Sequence, residues 1–329
     1  MSSAVVNPYG DADLLSFLLL LFYRLPLLLL GRETLAHDEL QIALLCFIGI
    51  SCAIVGTFLV LRQMTMLANA LSHTILLGIV AAFLITQAIG SSHGHDTSSL
   101  DPVPLLLASI CMALVTTFLT QFLTHTLTLQ PDASCGLAFT TLFALGIIGV
   151  TAATRNSHIG TELVFGNVDA LNKHDLPFVF AIMLANLMIT LLFFKEWTVT
   201  TFDRHFAASI GLSNGCFDYL IMVQTSLSLV SAFRAVGVLM VLAMLTAPVL
   251  TARLFSKRLP TLLLNGCAIS TCCSILGVAL SRHLLTNYGL AFSTAGLIVC
   301  LLSLTFFTCG LAQKLYRSLQ TPSSESASS

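Results

Sequence analysis

Apolar blocks long enough to cross a bilayer follow one another along nearly the whole chain, and the run from Val103 to Leu129 is a representative one. A helix needs about 20 such residues to span hydrocarbon. Only helices and closed barrels satisfy their backbone hydrogen bonds there. Unbroken blocks favour helices over the alternating pattern of a barrel strand. Of the 329 residues, 56% are hydrophobic and 9% charged. A soluble domain carries about a quarter charged residues, so this chain cannot cover a water-facing surface. The expected fold class is all-α: a polytopic membrane protein with about eight to ten transmembrane helices by the length rule. Spans are read near 14–31, 40–61, 70–90, 104–129, 134–154, 176–195, 217–232, 234–254, 261–281 and 289–311. Arg24 and Pro26 interrupt the first, and the seventh is short.

With a cytoplasmic N-terminus, the inside loops hold Arg62, Lys195, Arg204, Arg253, Lys257, Arg258, Lys314 and Arg317. The outside loops hold Arg32, Arg155, Lys173, Arg234 and Arg282. Lys and Arg concentrate on cytoplasmic loops, so both termini are expected in the cytoplasm. Asp11 and Asp13 precede the first apolar block, where a signal peptide carries positive charge, so no signal peptide is expected. The stretch Thr321 to Ser329 is Ser-rich and expected to be disordered. Net charge is −1 with no basic run, so no nucleic-acid partner is expected. The ten cysteines are scattered, without paired CxxC spacing. They read as small packing residues.

The loops exclude an appended catalytic domain, which needs at least about 50 residues. No GxxxxGK[ST] phosphate loop is present. The energy for any pumping therefore comes from a partner or an ion gradient. No HExxH metalloprotease signature occurs either.

Four polar clusters interrupt the apolar background. The first is RQMTMLANALSHTILLG, Arg62 to Gly78, with Asn69, Ser72 and His73. Asn69 and His73 are four residues apart, on one helical face. Polar groups inside a span face a cavity or another helix, and imidazole is the commonest metal ligand. An interhelical hydrogen bond explains His73 equally well. The second cluster, Arg155 to Asp175, holds His158, Glu162, Asp169 and His174. His158 and Glu162 are also one helical turn apart, and a solvated loop explains them as well. A further polar tract, Ser91 to Asp101, holds His93, His95 and Asp96 and reads as a weak metal catch or a plain loop. The third cluster is DRHFAASIGLSNG from Asp203, in which Ala207, Ala208 and Gly211 are expected to make one small face. The fourth is TAPVLTARLFSKRLP from Thr246. Pro248 is expected to break the preceding span, leaving Arg253, Lys257 and Arg258 on a short amphipathic helix ended by Pro260. Such a helix suits anionic lipid or the grip of a cytoplasmic motor.

In order, these clusters resemble the metal-uptake permease family of bacterial ABC importers, the zinc/manganese/iron type. LRQMTMLANALSHTILLG from Leu61 is similar to the family's LRRMSLMGDALSHAVLPG. Phe165, Gly166 and Asn167 match its FGN loop. FDRHFAASIGL from Phe202 matches FDPEFARALGL, and AVGVLMVLAMLTAPVLTARLF from Ala235 matches AVGVLLVVALLIAPAATARLL. The resemblance covers roughly 40–310. It implies a vitamin B12-importer-like permease fold and an ATP-driven importer of a divalent metal in the bacterial inner membrane. Two permeases meet across a pathway, two ATPase subunits bind beneath, and a metal-binding solute-binding protein delivers the cargo. ATP hydrolysis then belongs to a separate subunit, so the chain is not expected to be an enzyme, and no cofactor is expected on it. Residues 40–312 are expected to form the permease domain. Residues 1–39 form an N-terminal extension with one further apolar segment, and 313–329 a disordered cytoplasmic tail.

The resemblance also assigns roles. The family's Asp at position 69 and the His four residues on form a metal gate; here Asn69 stands in place of Asp and His73 remains. A neutral amide is a poorer ligand for a divalent cation than a carboxylate. Either the gate is weaker here or the partner supplies the acid, so the second permease is expected to be a further copy of this chain in a homodimer or, as Asn69 favours, a related chain that keeps the Asp in a heterodimer. ATPase coupling is expected from Arg253, Leu254, Lys257 and Arg258, supported by Ala207, Ala208 and Gly211. The competing reading is an ATP-independent secondary metal transporter or channel. It predicts inverted repeats, and no internal repeat is evident.

Overall fold

The computed structural model describes residues 14–29, 36–66, 68–74, 77–78, 102–154, 175–290 and 292–320. Among them every regular element is helical: α1 (Leu14–Leu29), α2 (His37–Leu61), α3 (Pro102–Thr126), α4 (Pro131–Thr154), α5 (Asp175–Leu192), α6 (Phe194–Phe202), α7 (Arg204–Ser209), α8 (Asn214–Val236), α9 (Val238–Phe255), α10 (Leu259–Tyr288) and α11 (Thr294–Gln320). By length and apolar content, four described stretches suffice to cross a bilayer: His37–Leu61, Asp175–Leu192, Leu259–Tyr288 and Thr294–Tyr316. Shorter apolar stretches lie in α1, α3, α4 and α9.

α2 is apolar over most of its length and is the central helix, buried along most of its surface. It packs against α5, α8, α9 and α10. Without a hydrophobic drive between helices in lipid, close packing of small residues holds them. Gly56 shows this: a Cβ there would fall on the Leu245 carbonyl oxygen of α9. At the same face a Cβ on Gly49 would collide with Ser270 of α10. Large apolar side chains of the peripheral helices, such as Phe118, Ile148 and Phe307, are exposed. That distribution suits contact with lipid rather than water.

Two ion pairs fix the antiparallel run of the core. Arg282 near the end of α10 binds Asp38 at the start of α2 at 2.6 Å. Arg62, just past the end of α2, binds Asp218 near the start of α8 at 2.7 Å. Arg62, the start of α8 and the start of α10 therefore lie at one end of the molecule, and Asp38 at the other.

Several expectations change. The first apolar segment is one helix across Arg24 and Pro26, and Arg24 pairs with Glu39 at 2.8 Å. The short seventh span is the longer α8, Asn214–Val236. Gly237, at φ 81°, separates it from α9. Pro248 does not break its span: it sits inside α9, which continues to Phe255. Proline is tolerated in bilayer-spanning helices because surrounding groups satisfy the freed carbonyl. Pro260 does not end a helix but begins one, in the first turn of α10, where its missing N–H is no loss. No separate amphipathic helix therefore lies between Ala247 and Pro260. Residues 313–320, expected in a disordered tail, continue α11 as helix.

Candidate functional site

The chain leaves α2 through a tight cap. Gln63 takes a left-handed conformation, φ 59°. The Met64 amide donates to Leu59 O at 2.9 Å and the Gln63 amide to Val60 O at 3.3 Å. This is a Schellman cap in which glutamine fills a position that favours glycine. A side chain in that region is strained by about 1 kcal/mol.

The segment that follows carries Asn69 and His73 and is helical over 68–74. Ala68, Ala70, Leu71, Ser72 and Thr74 are buried. Thr116 of α3 donates to the Thr74 hydroxyl at 3.1 Å. A Cβ on Gly78 would press on Met112 and Ala108 of α3, and one on Gly146 of α4 would stand 3.2 Å from the Leu77 amide. Glycines at both crossings let the segment sit in the groove between α3 and α4. Asn69 is exposed and His73 half-buried. The His73 ring lies 5.2 Å from Phe139 and 5.3 Å from Phe143, both on α4. These are favourable aromatic separations. The one-face spacing of Asn69 and His73 is thus realised, and the two phenylalanines are partners that the sequence did not single out. Among the described residues, no three His, Cys, Asp or Glu side chains converge to hold a metal. His158, Glu162, Asp169, His174, Phe165 to Asn167 and the tract with His93, His95 and Asp96 lie outside the described residues.

Directly before this segment, Arg62 is the hub of a polar cluster. Its side chain is 1% exposed. It donates to Asp218 at 2.7 Å, to Thr200 at 2.6 Å and to Thr201 at 3.2 Å. Its guanidinium carbon stands 4.9 Å from the centre of the Trp197 ring, a cation–π contact. Burial lowers the Arg62 pKa from its usual value, and Asp218 opposes the shift. A buried cation of this kind needs its carboxylate. Asp218 also receives Arg204, the first residue of α7, at 3.3 Å.

α7 is a short helix capped by Asp203, whose carboxylate accepts from the Phe206 amide at 2.9 Å. The expected small face does not form. Ala207 is buried, Ala208 exposed, and Gly211 serves the helix end at φ 86°, where a side chain would be strained. Phe202, Phe206 and Ile210 are instead exposed, each by more than half of its surface. The repeated aromatic in an otherwise polar stretch was the signal for them. Arg253, Lys257 and Arg258 are exposed at the same end of the molecule, whereas Leu254 is half-buried. Its carbonyl accepts from Gln313 of α11 at 2.8 Å.

The chain is similar to known proteins in sequence and in fold. The model of the ABC 3 transport family matches residues 37–313. A probable metal transport system membrane protein of Chlamydia muridarum is 38% identical over 314 residues, covering 95% of this chain and 96% of the relative. The manganese transport system membrane protein MntD of Bacillus subtilis is 33% identical over 243 residues, covering 70% of this chain and 78% of the relative. The solved structure of PsaBC from Streptococcus pneumoniae in complex with Fab superposes with a TM-score of 0.72 at 24% identity, covering 88% of this chain and 98% of that one. This likeness establishes the same all-helical fold.

Proposed function

This chain belongs to the ABC 3 transport family, and from that premise we propose that it is the permease subunit of an ATP-driven importer of a divalent metal ion, zinc, manganese or iron, in the bacterial inner membrane. The observation that carries the reading is the pair Asn69 and His73, one turn apart on a segment wedged between α3 and α4. Imidazole nitrogen with amide oxygen suits a borderline divalent metal. A cation needs polar partners across the hydrocarbon, and His73 supplies one from within the chain. Relatives named for metal and manganese transport support the cargo class.

In this reading both termini are cytoplasmic, and residues 40–312 form the permease domain, with 1–39 an extension. ATPase subunits seat on the end that carries α7, where the exposed Phe206, with Phe202 before the helix and Ile210 after it, fits an apolar cleft. Ala208 lies beside them, Ala207 and Gly211 shape the helix, and Leu254 braces the neighbouring turn. Arg253, Lys257 and Arg258 flank the seat and meet the partner or anionic lipid. A metal-binding solute-binding protein delivers the ion from outside, and His158 and Glu162 are proposed as early metal ligands. The second permease is a related chain with Asp at position 69. The mass of the purified complex tests that pairing, and two copies of this chain alone would refute it.

The functional reading is tested by purifying the chain with its ATPase and binding-protein partners and following metal-stimulated ATP hydrolysis. Stimulation by zinc, manganese or iron is expected. Metal flux that proceeds without any ATPase subunit would favour a secondary transporter instead.

A further inference from the structure

We propose that Asp218 is a positioning residue that couples movement of α7 to the Asn69–His73 segment, acting through Arg62 and Arg204. The inference rests on the permease reading above. One carboxylate oxygen, Asp218 Oδ1, receives both guanidiniums, Arg62 at 2.7 Å and Arg204 at 3.3 Å. The two sides of this junction differ in freedom. The Arg204 side chain is 50% exposed and opens α7, which carries the exposed Phe206. The Arg62 side chain is 1% exposed and held further by Thr200, Thr201 and the Trp197 ring. Asp218 therefore stands between a movable element and a fixed one.

What Arg62 fixes is the start of the gate segment. The next residue is Gln63, at φ 59°. Coupling between distant sites requires an element with two discrete arrangements. A glutamine held in the left-handed region is such an element, because the right-handed region is lower in local energy and only surrounding contacts hold it where it is. The two arginines share one carboxylate oxygen, and their like charges repel across it. When a partner draws α7 toward Asp218, Arg204 takes a larger share of the oxygen and weakens the hold on Arg62. Drawing α7 away leaves Arg62 sole possession and stiffens the cap. An uncompensated buried cation is strongly unfavourable, so small displacements at Asp218 carry leverage on the backbone at Gln63. Asn69 and His73 follow on the same short segment.

The test uses the complete importer in proteoliposomes, with ATP hydrolysis and accumulated radioactive zinc or manganese measured in the same vesicles. Arg204→Ala is expected to lower metal moved per ATP by about tenfold, the scale of coupling between neighbours in one ion-pair network, a ratio that weaker ATPase docking alone would leave unchanged. Arg204→Lys is expected to restore most of the ratio, since charge suffices at that separation. Asp218→Asn is expected to lower metal moved per ATP as well, by the opposite route, because it strips Arg62 of its carboxylate instead of its competitor. If it fails to assemble, the half-exposed Arg204 variants carry the test alone. An unchanged ratio in Arg204→Ala, or hydrolysis and transport falling in proportion, overturns the coupling role while the permease reading stands. A wild-type complex without ATP-driven uptake overturns both.

Discussion

Asp38 and Arg282 stand 244 residues apart in sequence and meet through two nitrogens, Nε to Oδ2 at 3.0 Å and Nη2 to Oδ1 at 2.6 Å. The pair ties the start of α2 to the end of α10. Asp38 is buried and Arg282 partly so. Removing one partner of a buried pair costs about 3–5 kcal/mol, and partial exposure places this pair at the lower end. Asp38→Asn is expected to lower the thermal unfolding midpoint of the detergent-purified chain. An unchanged midpoint would show that the pair contributes nothing measurable.

Gly56→Ala probes the crossing of α2 and α9. The new methyl group would meet the Leu245 carbonyl, a backbone atom that cannot rotate away. Overpacking of this kind costs about 1–3 kcal/mol, and more where backbone must shift. Expression as a folded, monodisperse protein in detergent is the readout, and a sharp loss is expected. Gly136, with open space around its Cβ position, is the control and should accept Ala without loss.

A buried polar junction joins α2, α5 and α8. Asn186 donates to Ser51 and to Ser228, each at 2.8 Å, and the two hydroxyls lie 3.0 Å apart. Interhelical hydrogen bonds in membranes average about 0.6 kcal/mol and reach about 1.7. Asn186→Ala removes two at once and is expected to destabilise by about 1 kcal/mol. A steric-trap or denaturant titration measures it, and stabilisation would contradict the assignment.

The aromatic pair over His73 makes a separate prediction. Each ring contact is worth about 0.5–1.5 kcal/mol and must be broken before the imidazole reaches a metal. Phe143→Ala is expected to strengthen His73-dependent zinc binding by up to about tenfold, on that same scale. Equilibrium binding to the purified chain measures it. Weaker binding would mean that the rings shape the metal-competent form instead of opposing it.

Local patterns were legible in the sequence and distant contacts were not. The shared face of Asn69 and His73 follows from helical spacing alone, whereas the burial of α2 does not, because the comparably apolar α5 is buried over much less of its length. Pro248 misled because a rule drawn from water-exposed helices was applied inside a bilayer-spanning one. The boundary between the seventh and eighth spans, read at Arg234, falls three residues later at Gly237, whose φ of 81° suits glycine. The small residues at 207, 208 and 211 look alike in sequence but answer to burial, exposure and backbone conformation in turn. Arg62 and Asp218, 156 positions apart, share no local pattern, so their pairing needed the folded chain.

The central claim, that His73 lies on the path of an ATP-driven metal importer, is tested most directly by metal accumulation in proteoliposomes containing the complete complex. With wild-type permease, ATP is expected to drive zinc or manganese into the vesicles. With His73→Ala, accumulation should fall by at least about tenfold, the loss of one ligand interaction worth about 1.4 kcal/mol, while the complex still assembles and inserts. Accumulation at the wild-type rate by His73→Ala would contradict the account and return His73 to packing against Phe139 and Phe143.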